Sequence, residues 1–186
     1  MIDYNAIAAF TGLGTAIIAV CALWLESRRH RFSTSLSLML RLEEEFSTRR
    51  MYKNRKLAAY AFNNGRIREA ANEIDEIIDF FEGIAFFVEK GAIDKESVWT
   101  CFFSYIYRFY HYAYGYINEE RERDPTLWIS FLDLYKKLYR IEQDNRNRNK
   151  RLKRIHIKNP KANLKQKDLQ QFLNEEMKLD IDLDDE

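Results

Sequence analysis

The chain reads as an all-α protein with one amino-terminal transmembrane helix, then a small helical bundle, then a polar charged tail. Three observations predict this class. Only six Gly and two Pro interrupt 186 residues, and the abundant Leu, Ala, Glu, Lys and Arg lose little side-chain freedom in a helix. No stretch alternates apolar and polar residues with a period of two between turn clusters. Finally, Ala6 to Leu25 runs twenty residues without a charge. At about 1.5 Å per residue this helix spans about 30 Å, the hydrocarbon thickness of a bilayer.

The first element is therefore expected to be a retained signal anchor, residues 1–27. Tyr4 and Trp24 fall at its two ends, where amphipathic rings prefer the headgroup layer. Arg28, Arg29 and Arg31 follow it, so the positive-inside rule keeps that flank cytoplasmic and sends the short amino-terminal tail across. A cleaved secretory signal needs basic residues before its apolar run, whereas the early charge here is Asp3. A lipoprotein signal needs a small residue immediately before the modified cysteine, and Val20 precedes Cys21. A buried core helix, also apolar all round, is the remaining alternative. Within the anchor, Ala8, Gly12 and Ala16 recur every fourth residue, a spacing that lets two helix backbones approach closely and pair in lipid.

The helical domain is drawn at 28–143. Its first helix continues through Leu36, Met39, Leu40, Leu42 and Phe46. Ser47 is the predicted cap of a second helix carrying Met51, Leu57, Ala58 and Ala61, which Asn63-Asn64-Gly65 stops. The third helix has the clearest stripe: Ile74, Ile77, Ile78, Phe81, Ile84, Ala85 and Val88, closed by Gly91. Asp94 caps the fourth, in which nine of the fifteen residues from Phe102 to Tyr116 are Phe or Tyr. Asp124 and Pro125 predict the start of a fifth, with Leu127, Trp128, Phe131, Leu134 and Leu138 on its apolar side. Leu169, Phe172, Leu173 and Met177 allow a short amphipathic helix near the end.

Charge is distributed unevenly. Residues 26–143 hold 19 basic and 19 acidic side chains. Residues 144–167 form a basic arm with ten cations against one acid, and 168–186 an acidic tail with eight acids against Lys178. The arm residues Arg146, Arg148, Lys150, Arg151, Lys153, Arg154 and Lys158 are the strongest candidate polyanion site. Such cations bind nucleic-acid phosphates through counterion release, and anionic headgroups at about 1 kcal/mol each near a surface. A chain tethered to the leaflet meets lipid at high local concentration, so lipid ranks above nucleic acid. The alternative is a solvated arm masked by its own acidic tail.

On the aromatic helix, Phe102, Ile106, Phe109, Ala113 and Ile117 are expected in the core, with tyrosines at the rim. Tyr105, Tyr107, Tyr112 and Tyr114 are the candidate partner surface, because a tyrosine ring is apolar and its hydroxyl is not. Catalysis has little support. His30, His111 and His156 are isolated, and there is no glycine-rich phosphate loop or nucleophile elbow. Asp75, Asp79 and Glu82 share a helical side and read as a solvated face rather than a cation site. Cys21 and Cys101 have no disulfide or metal-ligand spacing. No metal, cofactor or catalytic residue is assigned.

Several segments together carry a family resemblance. They are the anchor, Phe46-Ser47 before an Arg/Ala-rich helix, Ile77-Ile78-Asp79-Phe80-Phe81-Glu82-Gly83-Ile84, Gly91-Ala92-Ile93-Asp94, and Tyr116-Ile117 with Arg121, Pro125 and Trp128. From Ala6 to about Leu138 the layout resembles a bacterial domain family of unknown function, made of short proteins with an amino-terminal membrane helix. That resemblance implies a membrane-associated helical domain, and it supplies no catalytic residues. The expectation is a single-pass inner-membrane protein with a cytoplasmic interaction or scaffold domain. It would tether an unidentified protein partner, with a second copy met through the anchor. The alternative is a membrane effector of a bacterial defence system that senses nucleic acid through the arm and oligomerises through the anchor.

Overall fold

The computed structural model describes residues 22, 24–26, 29, 32–151 and 166–179. Among them there is helix and turn, and no strand. The protein is all-helical, as its composition predicts. Helix α1 covers 32–46, and the described residues before it are also helical. It is followed by α2 (Arg49–Asn64), a 3₁₀ turn (Ile67–Ala70), α3 (Ala71–Glu89), α4 (Lys95–Arg123), α5 (Ile129–Arg151) and α6 (Gln166–Met177). Among the described residues no helix is long and apolar enough to cross a membrane. The predicted anchor stretch, 6–25, lies outside the described residues apart from Ala22, Trp24 and Leu25.

Helix α3 is the centre of the bundle and packs against α2, α4 and α5. Its Ile74, Ile77, Ile78, Phe81 and Ile84 are all but completely buried. Around them stand Met39, Leu42 and Phe46 from α1, Ala58 from α2, Ile106, Phe109, Ala113 and Ile117 from α4, and Phe131, Leu134 and Leu138 from α5. Each large apolar side chain so enclosed contributes about 1.5–3 kcal/mol relative to water. Phe81 sits at the junction of three helices, stacked on Phe131 and edge-on to Phe109.

Several helix ends follow the sequence signals. Gly65 and Gly91 both adopt φ of 68°, the left-handed conformation that ends a helix cheaply only in glycine. Asp94 caps α4 by accepting the Ser97 amide at 2.8 Å. Two starts differ from the expectation. Thr48, not Ser47, caps α2, its hydroxyl accepting from the Met51 amide at 3.3 Å. Asp124 does not open α5. Helix α4 runs on to Arg123, and Asp124 instead closes a turn by accepting the Thr126 amide at 2.9 Å.

The fifth helix begins at Ile129, after a buried Trp128 held at φ of 53°. A bulky residue in that conformation is strained and needs its surroundings to hold it. The indole Nε1 donates to Asp79 at 2.9 Å, and the Glu82 carboxylate accepts the amides of Ser130, at 3.2 Å, and Phe131. Trp128 has no side-chain acceptor, so a carboxylate from α3 supplies the cap that the local sequence lacks. Asp75 accepts from the Tyr116 hydroxyl at 2.7 Å. Of the three acids expected on a solvated face, Asp79 stays exposed while Asp75 and Glu82 are half-buried, and each accepts a hydrogen bond because α4 and α5 bring donors to that side of α3.

Replacing Glu82 by alanine leaves the first amides of α5 without an acceptor. The expected cost is about 1–2 kcal/mol, read as a lower thermal midpoint. Ser130 and Phe131 should lose hydrogen-exchange protection before any other described part of α5; uniform loss along that helix would contradict the capping role.

Candidate functional site

The aromatic helix divides its tyrosines between two flanks. On the α5 flank, Tyr107 stacks on Tyr139 with ring centroids 6.0 Å apart and planes 4° apart, and on Tyr135 at 6.1 Å. Tyr110 lies 4.1 Å from Tyr135, and Tyr114 meets Tyr110 edge-on. Phe103 and Trp99 continue the row along α4. Burial raises the pKa of Tyr107, Tyr110 and Tyr135 further above the ordinary tyrosine value, which disfavours phenolate in this row. Partial desolvation by the neighbouring rings lowers that of the exposed His111, which favours the neutral imidazole. Cys101 is exposed, yet partial desolvation of its thiol and a hydrogen bond with Glu43 push it up to about 11, which makes it a poor nucleophile.

Tyr105 and Tyr112 face the other flank. Tyr112 stacks on Phe62 of α2 at 5.6 Å, and Tyr105 meets Phe46 and Phe172. Of the four tyrosines expected at a partner surface, Tyr114 is exposed while Tyr105, Tyr107 and Tyr112 are half-buried. The four therefore do not form one face: two belong to the α5 seam and two to the α6 side.

The α6 side holds the most tightly enclosed charge pair among the described residues. Arg55 Nε and Nη2 each donate to one oxygen of Glu176 at 2.7 Å, and the two side chains are 7% exposed. The guanidinium also lies 4.4 Å from the Phe46 ring centroid, 4.9 Å from Tyr105 and 5.1 Å from Tyr52. Flat rings take up the faces of the guanidinium and the carboxylate takes its edge, which is how an arginine is best accommodated away from water. Phe172 and Leu173 close over Ala59 in a small apolar cluster of their own, with Phe62, Tyr105, Tyr112 and Met177 at its margin. Lys56 donates to the Leu179 carbonyl at 2.9 Å, and Gln170 to the Asn63 side chain at 2.8 Å. The stretch drawn as an acidic tail from 168 onward thus begins with a helix seated on α2.

Sequence reasoning passed over this pair, although a signal was present. Arg55 occupies the register of Met51, Ala58 and Phe62 on α2, and Glu176 that of Leu169, Phe172 and Leu173 on α6. A charge of opposite sign on the apolar face of each of two helices marks a buried pair.

The remaining candidates fall at the two ends of the chain. Trp24 and Arg29 are exposed, while Tyr4, Arg28, Arg31 and the pairing residues Ala8, Gly12 and Ala16 lie outside the described residues. In the arm, Arg146 is largely covered and pairs with Glu142, which also accepts from the Trp99 indole at 3.2 Å. Arg148 is exposed on α5. The helix continues through positions 150 and 151, so the arm opens as helix. Lys153, Arg154 and Lys158 lie outside the described residues. Among the described residues no group of His, Cys, Asp and Glu is arranged to hold a metal ion.

These features define an all-helical bundle with an aromatic seam on one flank of α4 and a seated carboxy-terminal helix on the other. The chain belongs to the family described as a domain of unknown function, DUF4760, which matches residues 8–138. The match ends before the arm and α6, so Arg55 lies inside it and Glu176 beyond it. No curated protein and no solved structure matches the chain.

Removing Glu176 alone leaves a guanidinium enclosed by rings. Glu176→Ala should cost about 3–5 kcal/mol while α6 stays seated, with the energy of undocking as a ceiling. Hydrogen exchange should then show α6 amides unprotected while those of Ile78 and Ile106 remain slow. The double variant Arg55→Met/Glu176→Leu should restore α6 protection; failure to do so would mean the pair acts through more than its charge.

Proposed function

We propose that this protein is a single-pass membrane-anchored interaction module, its helical domain tethering a partner at the cytoplasmic face of a bacterial inner membrane. The observation that carries this reading is the apolar row Leu25, Phe32, Leu36 and Leu40, which is 51–72% exposed. The core side of the same helix region is already served by Met39, Leu42 and Phe46. In sequence this row leads back to the uncharged stretch 6–25, and Arg28, Arg29 and Arg31 fall between its Leu25 and Phe32. A contiguous exposed apolar strip next to such a stretch suits a chain whose amino-terminal end is seated in lipid or against another helix. Pairing of anchors through Ala8, Gly12 and Ala16 would set two such rows side by side. The aromatic seam on α4 and α5 offers the partner a surface of rings and hydroxyls. The basic arm adds contact with anionic lipid. No catalytic step is part of this reading.

The alternative is that the arm takes nucleic acid and the anchors oligomerise to perturb the membrane. The exposed Arg148 and the helical start of the arm suit either polyanion.

Fractionation tests the tether directly. The full chain should stay with membranes through alkaline carbonate washing, and a chain lacking residues 1–27 should be released; retention of the shortened chain would overturn the anchor. For the arm, removing only residues 180–186 spares α6. If the terminal acids mask the arm, this deletion should strengthen binding to phosphatidylglycerol vesicles several-fold, and unchanged binding would exclude masking. Nuclease-sensitive recovery that requires residues 144–167 would make nucleic acid the ligand.

A further inference from the structure

We infer that the groove between α2 and α4 is an exchangeable helix-binding site, and that α6 of a second copy of this chain fills it. The groove is built to receive a helix. Ala58 and Ala59 let a backbone approach, and Phe62, Tyr105, Phe109 and Tyr112 form its apolar lining. Arg55 stands at one end with its faces covered by rings and its edge open to a carboxylate. The occupant must present an aromatic residue, an adjacent leucine and, three residues beyond the leucine, an acid. Helix α6 presents Phe172, Leu173 and Glu176.

Three observations make this helix a module rather than a fixed part of the core. Its buried Phe172 and Leu173 form a cluster with Ala59 separate from the main one, which meets the groove through Ala58 and Phe109. Among its neighbours it packs chiefly on α2. It is joined to α5 through residues 152–165, a connection of fourteen residues with five cations and no acid. Fourteen residues can span at most about 46–50 Å, so the covalent connection permits α6 to reach a neighbouring bundle. Exchange re-forms every contact of the seated helix, so it costs little, and reciprocal exchange closes a two-fold dimer. Twelve residues make a marginal helix in water, so α6 is driven to occupy one groove or another. The inference rests on the tethering reading only in that crowding at a membrane raises the concentration of second copies.

Cysteine crosslinking of the full chain tests it. Asn63 and Gln170 face each other across the groove, and the two native cysteines are first replaced by Cys21→Ala and Cys101→Ala. A tagged chain carrying Asn63→Cys is co-expressed with an untagged chain carrying Gln170→Cys, and unfractionated cells are oxidised with copper phenanthroline. A covalent heterodimer on non-reducing gels is the expected result. Adding Arg55→Met to the tagged chain should reduce it at least several-fold, and replacing the Gln170→Cys partner by Glu122→Cys should give none. The double variant Asn63→Cys/Gln170→Cys in one chain checks the seating itself. If it closes internally while mixed chains give no heterodimer, α6 serves only its own bundle and the inference is overturned. Equal yields with the Glu122→Cys partner would mean collision, and no closure in any pair would mean the helix does not sit here; each overturns it as well. Membrane fractionation reads a separate quantity, so failure of exchange and failure of tethering are distinguishable.

Discussion

The two-sided chemistry of α3 is the constraint from which the rest of the bundle follows. One side offers Ile74, Ile77, Ile78, Phe81 and Ile84 to every other layer. The adjoining side carries Asp75, Asp79 and Glu82, each turned to a different donor: the Tyr116 hydroxyl, the Trp128 indole and the first amides of α5. Apolar burial supplies most of the driving force but is non-directional. The three carboxylates supply direction, since each is satisfied only at one relative placement of α4, the turn and α5. The strained backbone of Trp128 is tolerated because its indole, its burial and the neighbouring cap are all determined by α3.

A second kind of placement governs the carboxy-terminal end. Arg55 and Glu176 are 121 residues apart in sequence and share a seat nearly free of water. Such a pair gives little net stability over an apolar substitute, because both ions are taken out of water. It does give selectivity, since a helix lacking the acid leaves the guanidinium unpaired. Reversible seating of a short helix therefore requires little burial, provided the charge is matched. The same logic separates the two flanks of α4: on the α5 side rings stack on rings, whereas on the α6 side rings line a cationic seat.

Much of this bundle is visible in the one-dimensional pattern. The stripe on α3, the core positions Phe102, Ile106, Phe109, Ala113 and Ile117, the Asp94 cap and the glycine terminators at 65 and 91 all report local rules of spacing and backbone conformation. The start of α5 was not visible in the same way. Asp124 and Pro125 carry an ideal start signal, yet the local competition was won by a longer α4 and by a cap reaching in from Glu82. A remote acceptor leaves no trace in the window that it caps. The tyrosines were legible as a rim but not as two rims, because which flank each ring joins depends on where α5 and α6 lie.

The sequence by itself determined the class of structure, the helices and most of their ends, since these depend on period, propensity and the conformational freedom of single residues. It also contained the family, whose model matches residues 8–138. Only the tertiary structure decided how the charges are used. Whether Asp79, Glu82, Arg55 or Glu176 faces water or a partner is set by what a different helix brings to the same place, and a buried charge must find its counterpart across space rather than along the chain.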